Sequence, residues 1–271
     1  MSHSTMQSTV RATEAEKSGR WAGRNADKDR LRHDVWQALE DSGMAIGPVW
    51  SRISNFVGAE MAAKRLSELE IWKRARVVKC NPDPPQIAVR LRALYDGKTV
   101  LMPVPEFGSG ELPWARLDPV KLEQDGVQFE LAATSAGAVQ VGEKLGFEDL
   151  PQLDIAVCGC VAVTRAGGRT GKGGGFADLE LGLFRDLGKI TPDTPIVTTV
   201  HSSMVVADDL LPVMAHDSLL NWIVTETDVI ETQPGQPQPG GVVWDLVQPD
   251  QLRDIWFLPA LKQKILAARG A

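Results

Sequence analysis

The strongest constraint on how this chain can fold is a nine-residue apolar run, 155–163 (IAVCGCVAV), followed by a glycine-rich stretch. A one-sided antiparallel strand alternates apolar and polar residues. An unbroken apolar run needs cover on both faces, as a central parallel strand between two helix layers has. The run therefore predicts a buried strand over 154–163 (DIAVCGCVAV), and it is far shorter than the ~20 residues of a membrane span. Segments 75–80 (ARVVKC), 98–103 (KTVLMP), 195–200 (PIVTTV) and 221–225 (NWIVT) also read as strands.

Helical periods lie around and between them. Leu31, Val35 and Leu39 recur at i, i+4, i+8 from residue 27 onward, and Met61, Ala62, Leu66 and Leu69 mark one face of a helix over 59–69. A helix over 87–95 ends at Gly97, with Asp83 as its cap and Pro84 at its first position. Another spans 176–187 and closes at Gly188. The alternation predicts an α/β fold: a single open, mainly parallel sheet with helices on both faces. Residues 1–26, small and polar, read as a mobile tail, 27–232 as the α/β domain, and 233–241 (QPGQPQPGG) as a linker. The extension 242–271 contains a strand-like VVWDLV and a helix ending in LKQKILAAR. Signals between 104 and 150 are weak, with a loop around PEFGSGELP.

Composition narrows the function classes. With 29 Lys+Arg against 35 Asp+Glu, the net charge of -6 argues against nucleic acid or a membrane as partner. No RNP-type aromatic motif is present either. Three cysteines form no disulfide framework, and no apolar segment follows the charged N-terminus, so a soluble, cytoplasmic protein is expected. Cys158 and Cys160, at strand spacing, are expected as small core residues rather than zinc ligands. His201 and His216 are too isolated for a metal site, and His33 is expected on a helix surface.

The chemistry concentrates in 165–178, RAGGRTGKGGGFAD. It lies between a strand and a helix, where open α/β sheets place ligands. Residues 155–177 hold three bases and no acid in a net acidic protein. Glycine N–H groups, a helix N-terminus, Arg169 and Lys172 together suit a phosphate. The loop is not a Walker A sequence, because Ala166 and Gly173 break the pattern. Nor is it the dinucleotide fingerprint, because Phe176 stands where a small residue is needed.

Three segments now align with one family. Lys28-Asp-Arg-Leu-Arg32 resembles a K-x-x-L-R on a first helix. GGRTGKGGGFAD resembles a G-x-R-x-G-x-G-x-G-Y-Y-D loop, and 215–231 (AHDSLLNWIVTETDVIE) a closing H-D…D-x-I-V-T segment. The family is 5-formyltetrahydrofolate cyclo-ligase, or methenyltetrahydrofolate synthetase. Segments 78–85, 171–180 and 194–201 resemble its divergent methenyltetrahydrofolate-synthetase-domain-containing branch. The loop departs from the family in carrying Phe176-Ala177 in place of a tyrosine pair, and Leu179 after Asp178. The only tyrosine, Tyr95, lies elsewhere.

The resemblance implies a Rossmann-like fold of the NagB/RpiA/CoA-transferase kind and a place in one-carbon metabolism. It implies ATP and Mg²⁺ as cofactors and a small-molecule folate substrate. The ATP site would comprise Lys28, Arg32, Arg169, Thr170, Gly171, Lys172, Gly173, Gly174 and Gly175. Arg169, Lys172 and Asp178 would be catalytic, with Asp178 holding the metal, and Trp114 and Phe176 are weaker candidates for contacting the pterin. Two other readings remain: a non-catalytic folate- or nucleotide-binding paralogue with a regulatory role, and an ATP-dependent enzyme on another N-formyl or carboxylate substrate.

Overall fold

The computed structural model describes residues 23–105 and 112–270; most of the 1–26 tail and the centre of the 105–113 loop lie outside them. Helix α1 (Ala26–Ser42) starts where the Asn25 side chain accepts the Lys28 N–H at 3.0 Å, and it stops at Gly43, whose φ is 67°. Leu31, Val35 and Leu39 face inward as their spacing predicts, and so do Lys28 and Arg32. Strands β1 (Ala45–Ile46) and β2 (Asn55–Phe56) pair antiparallel. In α2 (Ala59–Ser67) the inward face is Ala62, Ala63 and Leu66; Met61 turns outward at 46% exposure, against expectation. The small inward residues let α2 lie close to what it covers.

After α3 (Glu70–Arg74) comes β3 (Val77–Cys80), then α4 (Gln86–Tyr95) and β4 (Thr99–Pro103). Helix α4 corrects the expected cap. Pro85 takes the cap position, and Asp83 accepts the Gln86 N–H through its backbone carbonyl at 3.1 Å. Its carboxylate is left for other work. The weakly patterned region folds into β5 (Trp114–Leu117), α5 (Pro119–Gln124), α6 (Phe129–Ala132), α7 (Ser135–Val141) and β6 (Glu143–Leu145).

The long apolar run is not one strand. Strand β7 (Ile155–Val157) ends, the chain turns through 158–161, and β8 (Ala162–Thr164) joins β9 (Arg169–Thr170) in a different sheet. The Cys158 N–H still bonds Val197 O at 2.8 Å, whereas the Val161 N–H bonds Thr170 O at 2.8 Å. Gly159 stands at the break. A Cβ there would lie 2.5 Å from the Asp83 carboxylate and 3.1 Å from the Gln86 amide, so any side chain would displace them. The remaining elements are α8 (Phe176–Asp186), β10 (Ile196–Thr199), β11 (Val205–Val206), β12 (Trp222–Val224), β13 (Val229–Glu231), α9 (Pro249–Asp254) and α10 (Leu258–Arg269). The VVWDLV segment, expected as a strand, instead contains a short 3₁₀ turn at Trp244–Leu246.

The main sheet runs β13-β12-β10-β7-β3-β4-β5-β6. Its five central strands are parallel, and antiparallel strands edge it on both sides. This is the predicted open, mainly parallel α/β sheet. Alternate residues of β7 feed opposite cores: Ile155 and Val157 join a cluster with Phe56, Trp72 and Val89, while Ala156 joins one with Trp36, Trp114 and Phe184. Both faces are thus covered, which is what keeps continuous apolar runs out of water. The 242–270 segment belongs to the second core. Val242 approaches Gly182 to about 3 Å from its Cβ position, and Arg269 pairs with Asp186.

Candidate functional site

The topology itself marks a place for a ligand. From β3 the chain moves through α4 to β4 on one side. From β7 it passes through β8, β9 and α8 to β10 on the other side. Adjacent strands whose connections diverge leave a crevice at their carboxyl ends. Here those ends are 81–86 after β3 and 158–161 after β7, and the glycine loop 171–175 leads into α8 close by.

On one side of the loop is a cavity of about 160 Å³. It brings together Lys28, Arg32, Arg169, Thr170, Gly171 and Asp178, which the sequence scatters over three segments. Gly173 and Gly175 line it as well. Gly175 sits at φ 70° and forms the cap of α8, a conformation that L side chains rarely adopt. Lys28 and Arg32 are not a solvated helix face: both are buried, at 7% and 4% exposure. A turn apart on α1, they point together into the cavity.

Each base is held by a carboxylate. Lys28 Nζ pairs with Asp217, which also accepts the Met214 N–H at 2.7 Å. Arg32 pairs with Asp29 and donates to Thr170 Oγ1 at 2.7 Å. Arg169 Nη1 lies 3.0 and 3.1 Å from the two Asp178 oxygens, and Asp178 also accepts the Ser218 N–H at 2.8 Å. Burial opposes the charge on Arg169, but Asp178 together with Cys160, Cys158 and Asp217 outweighs it and raises the pKa; on Arg32 burial wins and the shift is downward. Arg24 donates to Gly174 O at 2.6 Å and pairs with Asp250 at 2.5 Å. The lining thus carries four cations, Arg24, Lys28, Arg32 and Arg169, against two carboxylates, Asp178 and Asp217. Asp29 and Asp250 hold Arg32 and Arg24 from outside the lining, so the cations, though each is paired, are what the cavity itself presents to an anion.

Lys172 and Gly174 are not among the lining residues. The Gly174 carbonyl is taken by Arg24 and by Gln251 Nε2, the latter at 2.9 Å. Lys172 lies on the switch-point side, close enough to favour the charged form of Asp83. Burial dominates there, and the Asp83 carboxyl is pushed above the usual range. Around it sit the fully buried Gln86 and Arg90, with the Gln86 amide atoms and Arg90 Nη2 without a partner. Lys79 is buried below, 2.6 Å from Glu180 and 2.9 Å from Asn81 Oδ1. Burial opposes the Lys79 charge, but Glu180 and the neighbouring thiols outweigh it, and the net shift is upward.

Two candidates for a ligand-facing aromatic separate. Trp114 is fully buried, 4.8 Å from the Phe184 ring and 6.1 Å from Phe147, so it is a core residue. Phe176 is half-buried at the start of α8 and packs on the core. Cys158 and Cys160 are buried core residues as expected, though in the turn rather than on a strand. His33 is exposed beside Trp50, His201 caps a 3₁₀ turn through the Ser203 N–H, and His216 lines the cavity next to Asp217.

Sequence reading missed Arg24, Asp217 and Gln251 in the cavity and Lys79, Gln86, Arg90 and Glu180 in the crevice. The signal for Lys79 and Glu180 was available: each is a charge within an apolar period, VVKC and DLELGLF.

Comparison with known proteins identifies the family. Residues 24–226 match the model of the 5-formyltetrahydrofolate cyclo-ligase family. The chain is 35% identical over 234 residues to a methenyltetrahydrofolate synthase domain-containing protein of Danio rerio, covering 86% of this chain and 60% of that one. It is 32% identical over 239 residues to the Homo sapiens protein of the same description, covering 88% and 62%. The chain therefore spans about three-fifths of the length of these relatives. An NMR structure of Aquifex aeolicus 5,10-methenyltetrahydrofolate synthetase superposes at a TM-score of 0.48 with 19% identity, covering 77% of this chain and 94% of that one. Among the described residues, no helix is long and apolar enough to cross a membrane.

Proposed function

Because the chain belongs to the 5-formyltetrahydrofolate cyclo-ligase family, we propose that it uses ATP to close 5-formyltetrahydrofolate to 5,10-methenyltetrahydrofolate. The observation that carries this reading is the convergence of buried Lys28, Arg32 and Arg169 on one cavity beside the glycine loop. In the proposed reaction the formyl oxygen attacks the γ-phosphorus and ADP leaves. N10 then attacks the activated formyl carbon and loses its proton, and the C–O bond breaks to release phosphate as the ring closes.

Such phosphoryl transfer needs positioning and charge neutralisation more than covalent help. Lys28, Arg32 and Arg169, fixed by Asp217, Asp29 and Asp178, supply pre-oriented positive charge. Thr170 Oγ1 and the loop N–H groups at Gly171 and Gly173 complete the phosphate floor. In this reading the folate approaches the switch-point crevice beside Asp83, behind which Gln86 is fully buried with its amide unpartnered. Lys172, close enough to act on the Asp83 charge, then meets the transferred group from the crevice side.

A magnesium ion accompanying the nucleotide would supply neutralisation of phosphate charge. Among the described residues no three acidic or imidazole groups gather into a metal cage. Asp178 already holds Arg169 and the Ser218 N–H, so it does not fit the role of free metal ligand. Its work is to orient Arg169.

The binding-paralogue reading draws on Phe176-Ala177, which leave the loop without aromatic hydroxyls. One assay separates the readings: purified protein with 5-formyltetrahydrofolate and MgATP, followed by near-ultraviolet absorbance of the methenyl product. Turnover supports the cyclo-ligase. Nucleotide or folate binding without turnover at high enzyme concentration supports the paralogue. Turnover of another N-formyl or carboxylate compound alone reassigns the substrate.

A further inference from the structure

His201 and Glu226 leave the main sheet side by side. Strands β10 and β12 are parallel neighbours, and each residue lies two positions beyond its strand's carboxyl end, where α/β sheets place their chemistry. Neither lines the cavity beside the glycine loop. The 3₁₀ turn Ser202–Met204 follows His201 at once and adds two exposed serines.

Hydrogen bonds fix the histidine tautomer. The Ser203 N–H donates to His201 Nδ1 at 3.2 Å, so that nitrogen presents a lone pair and Nε2 carries the proton. Ser203 Oγ lies 2.8 Å from the same Nδ1, and the only proton that contact can hold is the hydroxyl's. The serine O–H thus faces an imidazole base. Across the ring, Nε2 stands 3.6 Å from Glu226 Oε1. The Ser202 N–H and hydroxyl donate to the two Glu226 oxygens at 2.9 and 2.5 Å. Burial pushes the Glu226 carboxyl up, but these bonds, its own backbone and His201 outweigh it and hold it below the usual range. The fold leaves room for this carboxylate at Gly58, where a Cβ would lie 2.6 Å from Glu226 Cβ, and Arg65 Nε donates to Glu226 O at 3.2 Å. A helix cap needs only an acceptor at position 201. It calls for neither a hydroxyl before the ring nor a carboxylate behind it.

We propose that Ser203, His201 and Glu226 form a nucleophile–base–carboxylate site for activated acyl compounds. Ser203 Oγ bonds the acyl carbon as its proton passes to His201 Nδ1, and the leaving alcohol or thiol departs with that proton. Water then attacks the serine ester. Its proton passes through Nδ1 to Ser203 Oγ as the C–O bond breaks, and a carboxylic acid is released. Glu226 stabilises the imidazolium formed in each half. The substrate class follows from the backbone. The N–H groups of Ser202, Ser203 and Met204 are committed to Glu226, to His201 Nδ1 and to His201 O. An oxyanion donor is worth about 10²–10³ in rate, and the turn has spent its own. The site therefore suits aryl esters and thioesters, whose leaving groups are good, rather than amides.

The test is labelling of the full chain with an alkyl fluorophosphonate, which phosphonylates an activated serine with loss of fluoride. Intact mass and peptide mapping are expected to show one adduct, on Ser203, and none on Ser203→Ala. His201→Asn keeps a cap acceptor and removes the base. Its limiting labelling rate is expected to fall about a hundredfold, with the melting temperature unchanged. Glu226→Gln is expected to lower the limiting rate about tenfold and leave the probe concentration at half-saturation unchanged. The wild type should also hydrolyse p-nitrophenyl acetate, and Ser203→Ala should not. No labelling, an adduct on another residue, or a His201→Asn rate equal to wild type overturns the proposal and leaves His201 as a cap alone. Equal ester hydrolysis by Ser203→Ala overturns it as well.

Discussion

Lys79 and Glu180 form a pair whose energetics can be worked out from its surroundings. Their side chains are 0% and 4% exposed, and the ammonium nitrogen lies 2.6 Å from the carboxylate. At an effective dielectric of about 20, that separation gives an attraction of about 6 kcal/mol. Taking both ions out of water costs several kcal/mol each, so the intact pair comes out near neutral. The loss of one partner is then far more damaging than the loss of both. Lys79→Met alone, leaving the Glu180 carboxylate buried, is expected to cost about 3–5 kcal/mol, and Glu180→Leu alone about the same. The double variant Lys79→Met/Glu180→Leu should lie within about 1–2 kcal/mol of the wild type. Urea unfolding at pH 7 of all four proteins closes the cycle, with the midpoint and slope read separately. Additive costs, with the double variant losing as much as the two singles together, would refute the reasoning. The crevice floor would then be packed by volume rather than held by charge.

Other expectations follow from the same structure. Burial pushes the Cys80 and Cys160 thiols up to about 11 and Cys158 upward as well, so none of the three should react with a disulfide reagent at pH 8 in the native protein. All three should titrate in guanidinium, and native reactivity would contradict their packing. The raised Asp83 carboxyl favours the folded state when protonated, and that contribution is lost as pH rises through its pKa. Asp83→Asn should therefore gain melting temperature relative to wild type between about pH 4 and 7, whereas a pH-independent difference would rule out a desolvated carboxyl. Arg32→Ala should weaken ATP more than Lys172→Ala, because only Arg32 lines the cavity. Equal losses in a titration would place the phosphates across the loop instead.

Much of the scaffold could be read before any coordinate was known. The strands around 77–80, 99–103, 196–199 and 222–224 are apolar runs between helical periods, and burial on two faces leaves them few polar residues. The break at 158–161 was hidden by the same rule, since its turn is as buried and apolar as the strands beside it. Gly159 was its one visible mark. In the cavity, the glycine loop, Arg169 and the Lys28/Arg32 pair were legible by residue type and resemblance. Their burial was not, because it depends on Asp217, which lies 189 residues beyond Lys28. The 242–247 segment reads as strand-like because VVWDLV has the composition of a strand. It folds as a turn because its apolar side chains are divided between α8 and the cavity.

The contact between Arg24 and Asp250 joins positions 226 residues apart, near the two ends of the described chain. Protein synthesis reaches those ends at different times. The ribosome needs about 1–5 s to travel from residue 226, where the family match ends, to Gln251, at about 5–20 residues per second. During that interval the bases of α1 and the glycine loop face an open cleft with no far wall. The cavity's far wall and the last part of the second core are thus made together, after the central strands. A chain released early, at residue 226, would keep Lys28, Arg32 and Arg169 and lack Val243, Leu246, Val247 and Gln251 of the same cavity.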